Sequence, residues 1–140
     1  MKVLITGATG FVGRHLVKRL KDENIEVTEI SSLNFDSMWS LEKNSYEYII
    51  HLAVKTAAGG YCQNHPGEQW IVNSSINTDM LAYWAQYQQR ATMITFGSSC
   101  GYSSKGLPLG VQLIGSVKSD VKVLKGSHWL EKIRSSTTEQ

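Results

Sequence analysis

Three glycines at a fixed step, Gly7, Gly10 and Gly13, stand where a short apolar run gives way to a helical pattern. The run before them is Lys2-Val3-Leu4-Ile5. After them, Val12, Leu16, Val17 and Leu20 recur at helical spacing between Phe11 and about Lys21. A strand that turns sharply into a helix needs residues without side chains at defined points. Gly7 permits the tight turn, Gly10 lets another group approach the backbone, and Gly13 lets the helix pack close to the sheet. The N–H groups that open the helix, near Phe11 and Val12, then face whatever approaches, and they suit a phosphate. An ordinary tight turn is the plainer alternative. The glycine step, set in the first unit of a strand–helix repeat, favours a dinucleotide pyrophosphate.

The repeat itself runs through the first hundred residues. Ile25 to Ile30 alternates as a second strand, and Tyr48 to Ala53 is apolar with little alternation, as in a strand covered on both faces. Glu68 to about Gln89 reads as a long helix with Trp70, Asn73, Asn77, Leu81 and Trp84 along one side. Met93 to Phe96 is a fourth strand running into Gly97-Ser98-Ser99-Cys100. Strands alternating with helices imply crossover units and a parallel sheet. The expected fold is therefore α/β: a Rossmann-like, doubly wound, mostly parallel sheet, of which this chain holds the first four strands. Residues 101–115 carry four glycines, one proline and no clear period. Beyond them, 117–124 reads as a strand and 127–133 as a short helix capped by Ser127, before a polar end.

Composition narrows the function. The chain has 140 residues, enough for one domain, and a formal charge of +2 with no basic run of five, which argues against nucleic acid as a partner. No apolar stretch approaches the roughly 20 residues of a membrane span, and the first residues lack the pattern of a signal peptide. Two cysteines, Cys62 and Cys100, are too few for a disulfide framework, so a reducing cytoplasm is expected. Cys62 and His65 have metal-like spacing, but no second Cys/His pair lies near them, and no metal is expected.

The end of the second strand bears on which dinucleotide would bind. NAD binders usually place a carboxylate there for the ribose 2′-hydroxyl. Here the position falls on Ser31, followed by Ser32, while Arg14 after the last glycine could meet a 2′-phosphate. That combination favours NADP. Glu29 shares a face with Ser31, and a register shifted by two would restore NAD.

Taken together, Thr6 to Gly13, His51-Leu52-Ala53 and Gly97-Ser98-Ser99-Cys100-x-Tyr102 resemble the extended short-chain dehydrogenases/reductases, the nucleotide-sugar epimerase/dehydratase family. Lys55 through Gly59-Gly60 and the Ser-Ser-Cys element bring the resemblance nearest to its GDP-L-fucose synthase subgroup. It covers roughly residues 1–105, an incomplete dinucleotide-binding domain, and leaves 106–140 as a divergent tail. The resemblance implies that Asp36 bonds the adenine amino group, unless it is a helix N-cap or a surface residue. It implies that Leu52, Ala53 and Lys55 line the ribose and pyrophosphate, and that Asn73 or Asn77 bonds buried backbone near the active site. His51 reads as structural. Ser98 would hold the sugar C4 oxygen, unless it is a turn serine. Cys100 would exchange a proton beside the sugar ketone, a role suited to a thiol whose pKa is lowered, or it is a small buried residue.

The family's Tyr-x-x-x-Lys pair is missing, because no tyrosine follows Tyr102. Family members run to about twice this length, so the expectation is a truncated chain whose substrate-holding part is absent. The resemblance implies a nucleotide sugar as partner of the whole family protein, and a sheet edge left uncovered by absent later strands leads to an expected self-association of the chain. A dinucleotide-binding module acting as sensor or subunit without turnover is the alternative.

Overall fold

The computed structural model describes residues 1–56, 60–97 and 111–114. Strand β1 (Lys2–Thr6) leads through the glycine turn into helix α1 (Phe11–Asp22), and β2 (Glu26–Ile30) follows. A 3-10 helix (Phe35–Ser40) precedes β3 (Tyr48–His51). The short helix α2 (Tyr61–Asn64) and the long α3 (Pro66–Tyr87) lead to β4 (Thr92–Phe96), and β5 is Val111–Ile114. The sheet order is β2-β1-β3-β4-β5. The first four strands are parallel, with Thr6 level with Ile30 and with His51, and His51 level with Thr95. The winding reverses between β1 and β3, and in such sheets ligands bind where the carboxyl ends of the strands part at that reversal.

Each face of the sheet buries its own apolar cluster, as a doubly wound fold requires. On one face Val3, Ile5 and Ala8 pack under Val17 of α1, with Leu16, Leu20 and Ile25 at the margin. On the other, Leu4, Ile49 and Met93 meet Met80 and Tyr83 of α3 and Met38 of the 3-10 helix. Helix α1 ends where Asn24 takes a left-handed conformation (φ 58), which asparagine tolerates better than most residues. Among the described residues no helix is long and apolar enough to cross a membrane.

Three details depart from the sequence reading. Helix α3 starts at Pro66, whose missing N–H costs nothing in a first turn. Its buried side carries Met80 and Tyr83, while Trp70 is 76% and Leu81 44% exposed. The packed face is thus turned by about 100°, one residue step, from the expected stripe. Asn73, Asn77 and Trp84 stand at the border between the two. Strand β5 lies in a stretch without clear period and pairs antiparallel to β4, Met93 level with Ile114. The expected strand at 117–124 and helix at 127–133 lie outside the described residues.

The end of the sheet where the strands begin is closed by Gln88, which is 0% exposed. Its amide nitrogen donates to the Glu42 carbonyl at 2.7 Å and to the Tyr83 hydroxyl at 2.9 Å, and its oxygen accepts from the Ser45 N–H at 3.1 Å. Burial pushes the Tyr83 phenol up to about 12. Backbone bonds from Asn44 N–H to the Tyr87 carbonyl and from Thr92 N–H to the Glu47 carbonyl complete the closure.

Candidate functional site

At the opposite end, the glycine turn and the segment after β3 abut. Gly7 has φ 70, and a Cβ there would lie 2.8 Å from both the Ala53 nitrogen and the Leu52 carbonyl carbon. A Cβ on Gly13 would lie 2.1 Å from the Gly7 carbonyl oxygen and 2.8 Å from the Ala8 backbone. Those two glycines are required by the protein's own packing. Gly10 is different: its backbone is ordinary and extended (φ −69, ψ 175), and a Cβ would meet a single protein atom, the Gly7 carbonyl oxygen, at 3.1 Å. No side chain caps α1, so the N–H groups of its first turn are left for water or a ligand. Phe11 and Val12, 76% and 57% exposed, flank that opening instead of joining the core. An exposed backbone turn beside an uncapped helix start fits a pyrophosphate.

The flank toward β2 is basic. An open groove of about 420 Å³ runs along Ala8, Thr9, Arg14, Lys18, Lys21 and Glu29. Lys18 pairs with Asp22 at 3.8 Å and Lys21 with Glu29 at 2.6 Å. Arg14 stands over the Phe11 ring, 5.4 Å from its centroid, and makes no ion pair among the described residues. Ser31 is taken up by its own turn: its N–H and hydroxyl donate to Asn34 Oδ1 at 2.6 and 3.0 Å, and its Oγ accepts from the Leu33 N–H. Asp36 is exposed in the first turn of the 3-10 helix, whose N-cap is Asn34.

The segment 51–55 is held from two sides. The Thr6 hydroxyl donates to His51 Nδ1 at 2.6 Å and accepts from the Ala53 N–H at 3.3 Å, and His51 Nε2 donates to Asn77 Oδ1 at 3.0 Å. His51 is buried, and burial lowers its pKa while the bond to Asn77 opposes the shift. One turn earlier on α3, Asn73 accepts from the Lys55 N–H at 2.7 Å and donates to its carbonyl at 3.0 Å. The Lys55 ammonium bonds Glu68, which together with Tyr61 holds it above the ordinary lysine value; Lys55 in turn holds Glu68 below the carboxylate range. Of the two asparagines singled out in the sequence, Asn73 bonds backbone and Asn77 bonds His51. Thr6, Tyr61 and Glu68 were not foreseen, since nothing in their spacing places them beside the segment. Ser98 and Cys100 lie outside the described residues.

The sequence profile of the NAD dependent epimerase/dehydratase family matches residues 3–112. The chain belongs to that family. Membership implies a nicotinamide cofactor, and in this epimerase/dehydratase chain Gly10 and the first turn of α1 are the parts that fit its pyrophosphate. Two solved structures are similar. One is CapF, a capsular polysaccharide assembling protein from Staphylococcus aureus, at 19% identity and TM-score 0.38, the match covering 76% of this chain and 38% of that one. The other is CapF with the inhibitor 3-isopropenyl-tropolone, at 22% and 0.36, covering 76% and 35%. The chain spans little more than a third of those structures' length. No curated relative matches it.

Proposed function

We propose that the chain is the dinucleotide-binding part of a nucleotide-sugar epimerase/reductase of the GDP-L-fucose synthase kind, with NADPH as its preferred cofactor. The observation that carries the reading is the contrast among the three glycines. Packing demands Gly7 and Gly13, whereas at Gly10 the protein itself makes one 3.1 Å contact and a close-approaching ligand supplies the stronger demand. When bound, the cofactor supplies reducing equivalents. The chain's own residues would bind and orient it: the α1 N–H groups on the pyrophosphate, Asp36 toward the adenine, and Leu52, Ala53 and Lys55 along the ribose side. Lys55 would exchange its bond to Glu68 for the ligand. Ser98 and Cys100 would act on the sugar, as a hydrogen-bond partner of the C4 oxygen and as the proton-exchanging thiol. A second reading is a binding module whose ligand state controls a partner chain without turnover; within these 140 residues no tyrosine has a lysine four residues on.

Arg14 supports NADPH over NADH because its charge has no ion-pair partner among the described residues, while the Glu29 carboxylate is already matched by Lys21. A charge-assisted contact to a 2′-phosphate contributes roughly 1.5–3 kcal/mol, or about ten- to a hundred-fold in affinity. Calorimetric titration should show NADPH binding tighter than NADH by that factor, and Arg14→Ala should erase the difference. Equal affinities in the wild type would count against the 2′-phosphate.

Gly10→Val tests the site itself. The valine needs only a small retreat of the Gly7 carbonyl and costs α1 about 1 kcal/mol as a poorer N-cap. The variant should therefore remain folded by circular dichroism and lose dinucleotide binding. Retained binding would remove the pyrophosphate from Gly10.

A further inference from the structure

The hydrogens around His51 can be assigned from their partners. Asn77 Oδ1 carries none, so the hydrogen between it and the ring sits on Nε2. Burial favours the neutral ring, so Nδ1 is bare and accepts the Thr6 hydroxyl hydrogen, while the Thr6 oxygen accepts from the Ala53 N–H. Both ring nitrogens are thereby committed, and with a neutral ring the bonds run in one direction, from Thr6 into Nδ1 and from Nε2 into Asn77. It links three elements: α3 through Asn77, β3 through His51 and the end of β1 through Thr6. Its last bond lands on Ala53, whose nitrogen borders Gly7.

We propose that Asn77 and His51 are positioning residues for the dinucleotide, setting the Leu52–Ala53 backbone against the glycine turn through the Thr6 hydroxyl. This rests on the cofactor reading of that turn given above. Protonating Nδ1 would reverse that bond: the Thr6 hydroxyl hydrogen must turn away, and its oxygen must accept from both Nδ1–H and the Ala53 N–H, which weakens its hold on Ala53. The groups facing the ring carry no charge: Thr6 on β1, Asn77 on α3, and Thr95 beside it in register on β4. No charged group among the described residues offsets an imidazolium there. Burial lowers the folded pKa below the ordinary value of about 6.5, so the arrangement is intact above that pH. Its donor directions reverse and the Thr6–Ala53 bond weakens as pH falls through the lowered value.

The test is calorimetric titration of the 140-residue chain with NADP⁺ from pH 8 to pH 5, in wild type, Asn77→Asp and His51→Gln. A carboxylate beside Nε2 favours the imidazolium and raises its pKa by about one to three units. The acid loss of affinity should therefore move to higher pH by that amount in Asn77→Asp. It should shrink in His51→Gln, which cannot titrate at this position. The ligand's own phosphate titrates identically in all three, so the differences belong to the protein. Profiles that superimpose would overturn the proposal. Absence of binding at pH 8 in the wild type would overturn the cofactor reading, and the positioning role with it. The Ala53 amide, followed by NMR over the same range, tells that failure from failure of the bond chain. It shifts with pH, and at higher pH in Asn77→Asp, if the chain is as described; a flat response refutes it.

Discussion

Gly13→Ala is expected to destabilise the fold by more than about 3 kcal/mol, at or beyond the upper end of typical overpacking effects. The added Cβ would lie 2.1 Å from the Gly7 carbonyl oxygen. The obstructing atoms are backbone on both sides, so no rotamer change can relieve the contact. Helix α1 would have to lift from the β1 turn, opening the cluster around Val3, Ile5 and Val17. Against a total stability of about 5–15 kcal/mol, that is a large fraction. Gly67→Ala is the control, because a Cβ there meets nothing within 4 Å. It should be neutral or stabilising by up to about 1 kcal/mol, since alanine favours the helix. Urea denaturation of both variants gives the comparison, and equal midpoints would contradict the close-packing role of Gly13.

The second large effect concerns turnover. NADPH oxidation by the 140-residue polypeptide, offered GDP-4-keto-6-deoxymannose, should fall on the order of 10²–10⁴-fold below that of a family enzyme with the Tyr-x-x-x-Lys pair, the usual worth of general acid–base help. The tyrosines in this sequence are Tyr46, Tyr48, Tyr61, Tyr83, Tyr87 and Tyr102, and none has a lysine four residues on. Tyr83 is buried and bonded to Gln88, with its proton held up to about 12, which makes it a poor donor near neutrality. Stopped-flow absorbance at saturating cofactor checks the expectation. Rapid oxidation would mean that another group supplies the proton.

The parallel part of the fold was legible because its signals are local. Apolar runs of strand length, a glycine turn and a helical period each need only neighbours in sequence, and β1, α1, β2, β3, α3 and β4 appear within a few residues of their expected bounds. Strand β5 was not legible: Val111-Gln112-Leu113-Ile114 is four residues set among glycines, and its pairing with β4 is a long-range choice. The stripe from Trp70 to Trp84 did not reveal which side of α3 packs: Met80 and Tyr83 are buried, while Trp70 and Leu81 are exposed. The site divides in the same way. The duties of Gly7 and Gly13 follow from chain geometry, so sequence and structure agree on them. The bonds of His51 to Thr6 and Asn77, and of Lys55 to Glu68, join residues 13–45 positions apart, and only the folded arrangement brings them together.

The Gln88 closure makes the two ends of the sheet mechanically unequal. Its amide fastens the approach to β3 and the approach to β4 to the same buried point, so that end can open only by exposing Tyr83 and unpairing several backbone groups together. Amides such as those of Ser45 and Thr92 should then exchange hydrogen only through large-scale unfolding. At the other pole the first turn of α1 has no side-chain cap, and Arg14 and Asp36 are exposed with no side-chain hydrogen bond or ion pair among the described residues. Replacing those side chains disturbs nothing that Gln88 secures. A lineage carrying this chain could therefore change which dinucleotide it prefers through substitutions at one pole, while its capacity to fold is guarded at the other.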